Sequence, residues 1–241
     1  MSSIENSLMQ SISVISDNIF SPLGKTTAEN FEQLKQLHSG IKLQPDQSLS
    51  AETFYASMFQ NKFPDDRYTK FEQILIHSIQ DALSKIDIDF RGSKTVFILS
   101  STKGNIDLMD TYPYDDELKA RIALHTSAEL IARYFGFANR SVIVSNACIS
   151  GVLALLTAKR FLENGVYDHA IVAGADVVSK FVLSGFQSFQ AISSQPCKPF
   201  DEARDGLTLG EAAATIILSS DRKYSDNIII LIGSISNDAN H

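Results

Sequence analysis

The residues best suited to covalent chemistry are two cysteines, and their surroundings differ. Cys148 lies in Val142-Ile-Val-Ser-Asn-Ala-Cys148-Ile-Ser-Gly-Val-Leu-Ala-Leu-Leu156. An apolar strand ends there, the chain turns sharply, and a long helix begins at the cysteine. Free N–H groups at a helix start, together with the helix dipole, stabilise a thiolate. The same groups can stabilise the oxyanion formed when a thioester carbonyl is attacked. Ala147 and Gly151 keep the junction small enough for a substrate to approach. A free cysteine is also a common small packing residue, and spacing alone leaves both readings open. Cys197 precedes Lys-Pro-Phe in a loop and reads as structural. Asp201, Arg204, Asp205 and Glu211 form the densest charge cluster. That cluster could supply acid–base groups, but an ion-paired loop bracing a wall is the preferred reading. His38, His77, His125 and His169 fall on helix faces, helix junctions and strand starts, where ordinary histidines are common, and none is an evident partner for Cys148.

The elements that position Cys148 come from hydrophobic periodicity. Ser11–Phe20 reads as a strand, with a turn at Ser21–Gly24. A helix follows, with Thr26 and Glu29 spaced as a capping box and Phe31, Leu34 and Leu37 on one face. Residues 41–66 read as a polar surface excursion broken by Pro45 and Pro64. Phe71, Leu75, Ile79 and Leu83 lie four apart, which predicts a helix over 67–86. Thr95–Leu99 is an apolar strand. Residues 115–135 are helical, with a break near His125 suggested by Thr126 and Glu129, and Gly136 closes the stretch. Ser141–Ser145 is a strand, 149–164 a helix, and His169–Ala175 a strand ending in small residues. Ala212–Ser220 and Asn227–Ile235 are two more, joined closely enough to predict antiparallel pairing with each other. Strands alternate with helices and are mostly apolar throughout. That pattern is the one expected of an α/β fold with a mostly parallel sheet covered on both faces.

Composition narrows the function classes. The chain has 241 residues, 44% hydrophobic and 20% charged, with a formal net charge of -7 and pI near 5.2. An acidic chain without a basic run is poorly suited to neutralising phosphates, so nucleic acid is not expected as a partner. Two cysteines in unlike contexts give no disulfide framework and suggest a reducing compartment. No segment is long and apolar enough to span a bilayer, and the first residues lack a basic region followed by an apolar stretch. A cytoplasmic location is the expectation.

Several segments resemble one family in order and spacing. Ser145-Asn-Ala-Cys148-Ile-Ser-Gly151 resembles the active-site motif of the β-ketoacyl synthases, the thiolase-like condensing enzymes. Ile171-Val-Ala-Gly-Ala-Asp176 resembles their strand ending in Ala-Gly-Gly. Gly185-Phe-Gln-Ser-Phe-Gln-Ala-Ile-Ser193 is similar to their Gly-Phe…Ala-Leu-Ser segment. Cys197-Lys-Pro-Phe-Asp-Glu-Ala-Arg-Asp-Gly-Leu-Thr-Leu-Gly-Glu211 resembles their Cys-Arg-Pro-Phe-Asp…Arg-Asp-Gly…Gly-Glu signature. Phe20-Ser-Pro-Leu-Gly24, Glu29-Asn-Phe31 and Ser39-Gly-Ile41 are similar to their first strand and helix. Asn146 and Ile149 depart from the usual motif. Ile149 adds bulk beside the cysteine, where it would shorten or redirect an acyl pocket.

The resemblance implies a thiolase-like layered fold, with residues 1–241 as the amino-terminal domain. It also implies that Cys148 accepts an acyl group from an acyl carrier protein or coenzyme A. Decarboxylative condensation with a malonyl-carrier then gives a 3-oxoacyl thioester in fatty-acid or polyketide synthesis. No metal or redox cofactor is implied, because phosphopantetheine arrives as part of the substrate. A homodimer, or a heterodimer with a related ketosynthase, is implied, with the segment around Phe137–Val144 as an edge strand. The family's catalytic histidines and lysine belong to a carboxy-terminal half that this sequence does not match, and the closing stretch Ser236–His241 resembles the approach to it. The chain therefore reads as a fragment, or as a protein that needs a partner for the rest. The alternatives are a silent chain-length-factor-like subunit, which Cys148 disfavours; a thiolase or coenzyme A-dependent relative, which the 197–211 segment disfavours; and a cysteine hydrolase, for which no partner histidine is evident.

Overall fold

The computed structural model describes residues 11–61, 63–225, 228–230, 233–234 and 236. In chain order the elements are β1 (Ile12–Phe20), α1 (Thr27–Lys35), β2 (Ile41–Gln44), β3 (Phe54–Ser57), α2 (Lys70–Ser84) and β4 (Thr95–Ser100). Then come α3 (Asp116–Ile122), α4 (Leu124–Phe135), β5 (Val142–Val144), α5 (Ser150–Glu163), β6 (His169–Asp176) and α6 (Lys180–Ser188). β7 (Leu209–Gly210), β8 (Ala212–Ser219) and β9 (Ile229–Ile230) complete the series.

One six-stranded sheet runs in the order β5-β4-β6-β8-β1-β9. β4 is parallel to β5 and β6, with Ile98 opposite Val142 and Phe97 opposite Ile171. β8 is antiparallel to both β6 and β1, and β9 is antiparallel to β1. β1, β4, β5 and β6 therefore point the same way, as a mostly parallel sheet requires, while β8 and β9 run against them.

Strand periodicity sends alternate side chains to two separate cores. Phe97 and Leu99 of β4, with Ile171 and Ala173 of β6, pack on one face against Phe71, Leu75 and Ile79 of α2 and Ile131 of α4. Val96 and Ile98, with Ala170 and Val172, pack on the other face against Ala154, Ala158 and Leu162 of α5. All six residues of β4 are buried. This is why the strand reads as continuously apolar rather than alternating.

The helix ends follow local chemistry. Thr69 caps α2 in a complete capping box: its hydroxyl accepts the Glu72 N–H at 3.2 Å, and the Glu72 carboxylate accepts the Thr69 N–H at 3.0 Å. Gly136 ends α4 in the left-handed conformation, with φ of 75°.

Several expectations need correction. Thr26 caps α1 through the Glu29 N–H, but the Glu29 carboxylate takes the N–H of Lys25, one residue earlier than a box requires. The apolar residues expected on the first helix do not face a core: Phe31 and Leu34 of α1, and Leu37 just beyond its cap, are exposed, and the buried residue is Asn30. Its amide holds the Ile19, Gly24 and Thr26 carbonyls and so ties the helix to the turn after β1. Residues 41–66 are not wholly irregular. β2 and β3 pair antiparallel there, and β3 joins β7 in a second, three-stranded sheet. The signal was weak because the strands are four residues long and only partly apolar. The break between α3 and α4 falls at Ala123, and the Thr126 hydroxyl bonds the Ala120 carbonyl instead of capping. The last two strands do not pair with each other, because β1 lies between β8 and β9 and bonds both. Of the expected 227–235 strand only Ile229–Ile230 forms β9; residues 228, 233 and 234 are not in a strand, while 227, 231, 232 and 235, the amino-terminal ten residues and the 237–241 tail lie outside the described residues.

Candidate active site

The parallel strands β4, β5 and β6 end at one edge of the sheet, and the loops leaving them lie side by side. Close approach is built in at this edge. Ser100 of β4 sits opposite Gly174 of β6, and a Cβ on Gly174 would lie 2.7 Å from the Ser100 carbonyl oxygen. Just beyond, the Ser101 hydroxyl accepts the Gly104 N–H at 3.1 Å and donates to the Ala175 carbonyl at 3.3 Å. The loop after β5 carries Cys148.

That loop is a tight elbow. Val144 is buried, whereas residues 145–149, Cys148 among them, are exposed. Ala147 has φ of +43°, a left-handed conformation that is unfavourable for a residue with a Cβ. The turn is closed by the Ile149 N–H on the Asn146 carbonyl (3.2 Å) and the Ser150 N–H on the Ala147 carbonyl (3.3 Å). The Ser150 hydroxyl adds two more bonds: it accepts the Asn146 N–H and donates to the Ala147 carbonyl, both at 2.8 Å. Ile149 occupies the cap position without a side-chain cap, and α5 starts at Ser150. The helix therefore begins two residues after Cys148, not at it. Ile149 is 38% exposed beside the cysteine, and nothing lies within 4 Å of the Cβ position of Gly151. The elbow thus presents an exposed thiol at a small, open junction next to the positive end of a helix.

Two buried carboxylates brace the surrounding loops. Glu72 is fully buried and bonds both guanidinium arms of Arg121 at 2.6 Å, as well as Asn105 and Ser127. Burial works to raise its pKa, but the bonds from Arg121, Asn105 and the Thr69 backbone outweigh it and hold the carboxyl down at about 2. Asn105, itself fully buried, lies in the stretch following β4. The network therefore fixes a loop neighbouring the cysteine elbow. Glu211 is also buried. It pairs with Lys70 at 2.6 Å and accepts the N–H groups of Phe59 (2.9 Å) and Val178 (3.1 Å), joining β3, α2 and the segment after β6. Sequence spacing did not reveal either network, because the partners are 49 and 141 residues apart in the chain. The only local hint was Glu72 three residues after Thr69.

The cluster expected around 201–211 is not an ion-paired unit. Glu211 turns inward to Lys70, Asp205 takes the Ser193 and Ser194 hydroxyls, and Arg204 bonds the Asp201 backbone carbonyl rather than a carboxylate. Cys197 is half-buried, and its N–H bonds the Thr208 hydroxyl at 3.0 Å.

No histidine among the described residues is brought to Cys148. His169 begins β6, at the opposite end of the sheet from the elbow. His77 is on α2, across the sheet from α5, beside the rings of Phe20 and Phe63. Burial and, to a lesser degree, Lys25 push its pKa down. His125 starts α4, on the same face as α2, and His38 bonds Gln33 beyond α1. A cavity of about 1270 Å³ lies beside Tyr68, Lys70, Tyr112 and Arg121, and its lining does not include Cys148. Among the described residues no group of three or more His, Cys, Asp or Glu is placed to hold a metal ion, and no helix is long and apolar enough to cross a membrane.

Comparison with known proteins agrees with this layout. A probable polyketide synthase 7 of Dictyostelium discoideum is 33% identical over 159 residues, 62% of this chain and 6% of that protein. Among solved structures, a ketosynthase (ApeO) in complex with its chain length factor (ApeC) from Xenorhabdus doucetiae superposes with a TM-score of 0.74 at 23% identity. The match covers 88% of this chain and 58% of that one. A type II polyketide synthase acyl-carrier protein in complex with its hexaketide-bound ketosynthase gives a TM-score of 0.73 at 16% identity, covering 91% and 60%. The chain thus spans about three-fifths of these solved ketosynthase chains and a small fraction of the synthase it matches. The fold is the thiolase-like fold of these ketosynthases. The family model for the beta-ketoacyl synthase N-terminal domain matches residues 9–223, and with the strand–elbow–helix of 142–163 at its centre, the chain belongs to that family.

Proposed function

We propose that this chain supplies the acyl-accepting half of a decarboxylative condensation in polyketide-type synthesis, with Cys148 as the nucleophile. The observation that carries this reading is an exposed thiol on a strained elbow directly before a helix N-terminus. In the first step the Cys148 thiolate attacks the carbonyl carbon of an acyl thioester. A bond from Sγ to that carbon forms, the carbon–sulfur bond to the phosphopantetheine arm breaks, and the departing thiolate takes up the proton. Backbone N–H groups at the elbow stabilise the oxyanion in between. Splitting the condensation through such an acyl-enzyme replaces one hard step with two easier ones. In the second step a malonyl unit loses carbon dioxide, and the carbanion left behind attacks the acyl-cysteine carbonyl carbon; the new carbon–carbon bond forms, the carbon–Sγ bond breaks, and the departing Cys148 thiolate takes up a proton. None of the histidines described above lies at Cys148, so groups for that second step would come from outside the described residues. The similarity to polyketide synthases and to a carrier-bound ketosynthase supports an acyl carrier protein as the donor. A second ketosynthase-fold chain is the expected partner along β5, an edge of the six-stranded sheet.

The test is labelling of the purified chain with a cerulenin-like epoxide or an acyl-carrier thioester, read by peptide mass spectrometry with Cys148→Ala as control. One label per chain at Cys148 and none at Cys197 is the expected result. An unlabelled Cys148 in a folded chain would sink the reading and leave a non-catalytic, chain-length-factor-like partner in its place.

A further inference from the structure

We infer that Ser150 is a positioning residue: its hydroxyl clamps the Cys148 elbow in the geometry that thioester attack requires. The inference rests on the reading of Cys148 as the acyl acceptor. Ser150 is 6% exposed, so its hydroxyl must find its partners inside the protein. It finds both within the elbow, accepting from Asn146 N–H and donating to the Ala147 carbonyl at 2.8 Å each. The Asn146 N–H lies one residue before Ala147 and the accepting carbonyl is Ala147's own, so the two bonds bracket the Ala147 Cα, where φ is +43°. An L-residue held there is strained and persists only when its surroundings over-determine it. The other closures of the turn are longer, at 3.2 and 3.3 Å. The Ser150 bonds are thus the shortest contacts holding the strained residue that immediately precedes the nucleophile. No side-chain cap fixes the start of α5, so the same serine also sets where the helix N-terminus lies relative to the sulfur.

This role separates two kinds of reactivity. Alkylation by iodoacetamide is a substitution at a saturated carbon: the thiolate forms the sulfur–carbon bond and iodide leaves, so it needs an accessible thiolate but no oxyanion donors. Acylation passes through an oxyanion and also needs N–H donors at a fixed position. Loosening the elbow should therefore slow acylation far more than alkylation.

The experiment compares the chain with its Ser150→Ala and Ser150→Thr variants. Each is treated with octanoyl-N-acetylcysteamine and, separately, with iodoacetamide. Modification at Cys148 is followed by mass spectrometry, with Cys197 alkylation and thermal unfolding as controls for folding. In Ser150→Ala the acylation rate should fall roughly tenfold, a modest share of what losing an oxyanion donor outright costs. Alkylation at Cys148 should change less than about twofold, because the thiol stays exposed beside the helix start and the substitution forms no oxyanion. Ser150→Thr, which keeps the hydroxyl, should recover most of the acylation. If Ser150→Ala does not fold, the comparison moves to an Ala147→Gly background. Glycine tolerates positive φ, so there the loss should shrink to under about threefold while folding is retained. Unchanged acylation in Ser150→Ala, or acylation and alkylation falling in proportion, would overturn the positioning role. A parent chain alkylated at Cys148 but never acylated would overturn the nucleophile reading itself, and this inference with it.

Discussion

Replacing Glu72 with glutamine probes the buried network that holds the loop neighbouring the cysteine. Glu72 accepts five hydrogen bonds: two from Arg121, and one each from Asn105, Ser127 and the Thr69 N–H. Its side chain is 0% exposed, whereas Arg121 retains 28%. Glutamine keeps one acceptor arm but turns the other into a donor, which then faces the N–H groups the carboxylate used to receive. The guanidinium also loses its counter-charge. Breaking a buried pair from one side costs about 3–5 kcal/mol. For a chain of this size that corresponds to a fall in the unfolding midpoint of roughly 6–20 °C. The pH dependence gives an independent check. The Glu72 carboxyl lies near 2 in the folded chain, below its ordinary 4.5. A depressed carboxyl stabilises the fold above the unfolded pKa, and that contribution is lost as pH falls through the folded one. The stability gap between the parent and Glu72→Gln should therefore be constant near neutrality and narrow as pH drops from about 4.5 towards 2. Urea unfolding of both chains across that range measures it. A gap under about 1 kcal/mol at pH 7, in the range of an exposed pair, would refute the reasoning. So would a gap that stays constant down to pH 2.5.

Leu37 follows the α1 cap in a left-handed conformation, with φ of 58°, and is 91% exposed. Leu37→Gly relieves that strain at a position glycine commonly fills and should raise stability by about 0.5–1 kcal/mol in urea unfolding; a loss of stability would show that the leucine side chain is held by contacts after all. The three-residue edge strand β5 offers unpaired backbone groups to another chain. Sedimentation of the purified chain should show a concentration-dependent dimer that a proline at Ile143 disrupts, and a monomer at every concentration would remove β5 as an interface.

Much of the fold was legible because burial on both faces imprints itself on composition. β4, β6 and β8 are long apolar runs, and Phe71, Leu75, Ile79 and Leu83 repeat at the spacing of one helix face. The elbow at Cys148 was legible for the same reason: a buried strand, small residues and an apolar helix follow one another directly in the chain. Where the signal was local but the outcome was not, the reading failed. Phe31, Leu34 and Leu37 have a core helix's spacing, yet α1 lies where no core meets that face. β8 and β9 are close in sequence, yet β1 runs between them.

The sequence by itself determined the family and most element types, and it singled out Cys148 as the candidate nucleophile, because these readings depend on near neighbours in the chain and on motif order. Tertiary structure alone decided that Glu72 meets Arg121 and Glu211 meets Lys70, and that the described histidines lie away from Cys148. It also decided that the 201–211 charges turn to separate partners. A buried charge is stable only where chain crossings bring it a counter-charge and enough donors, and those crossings are set by the packing of the whole sheet rather than by any local pattern.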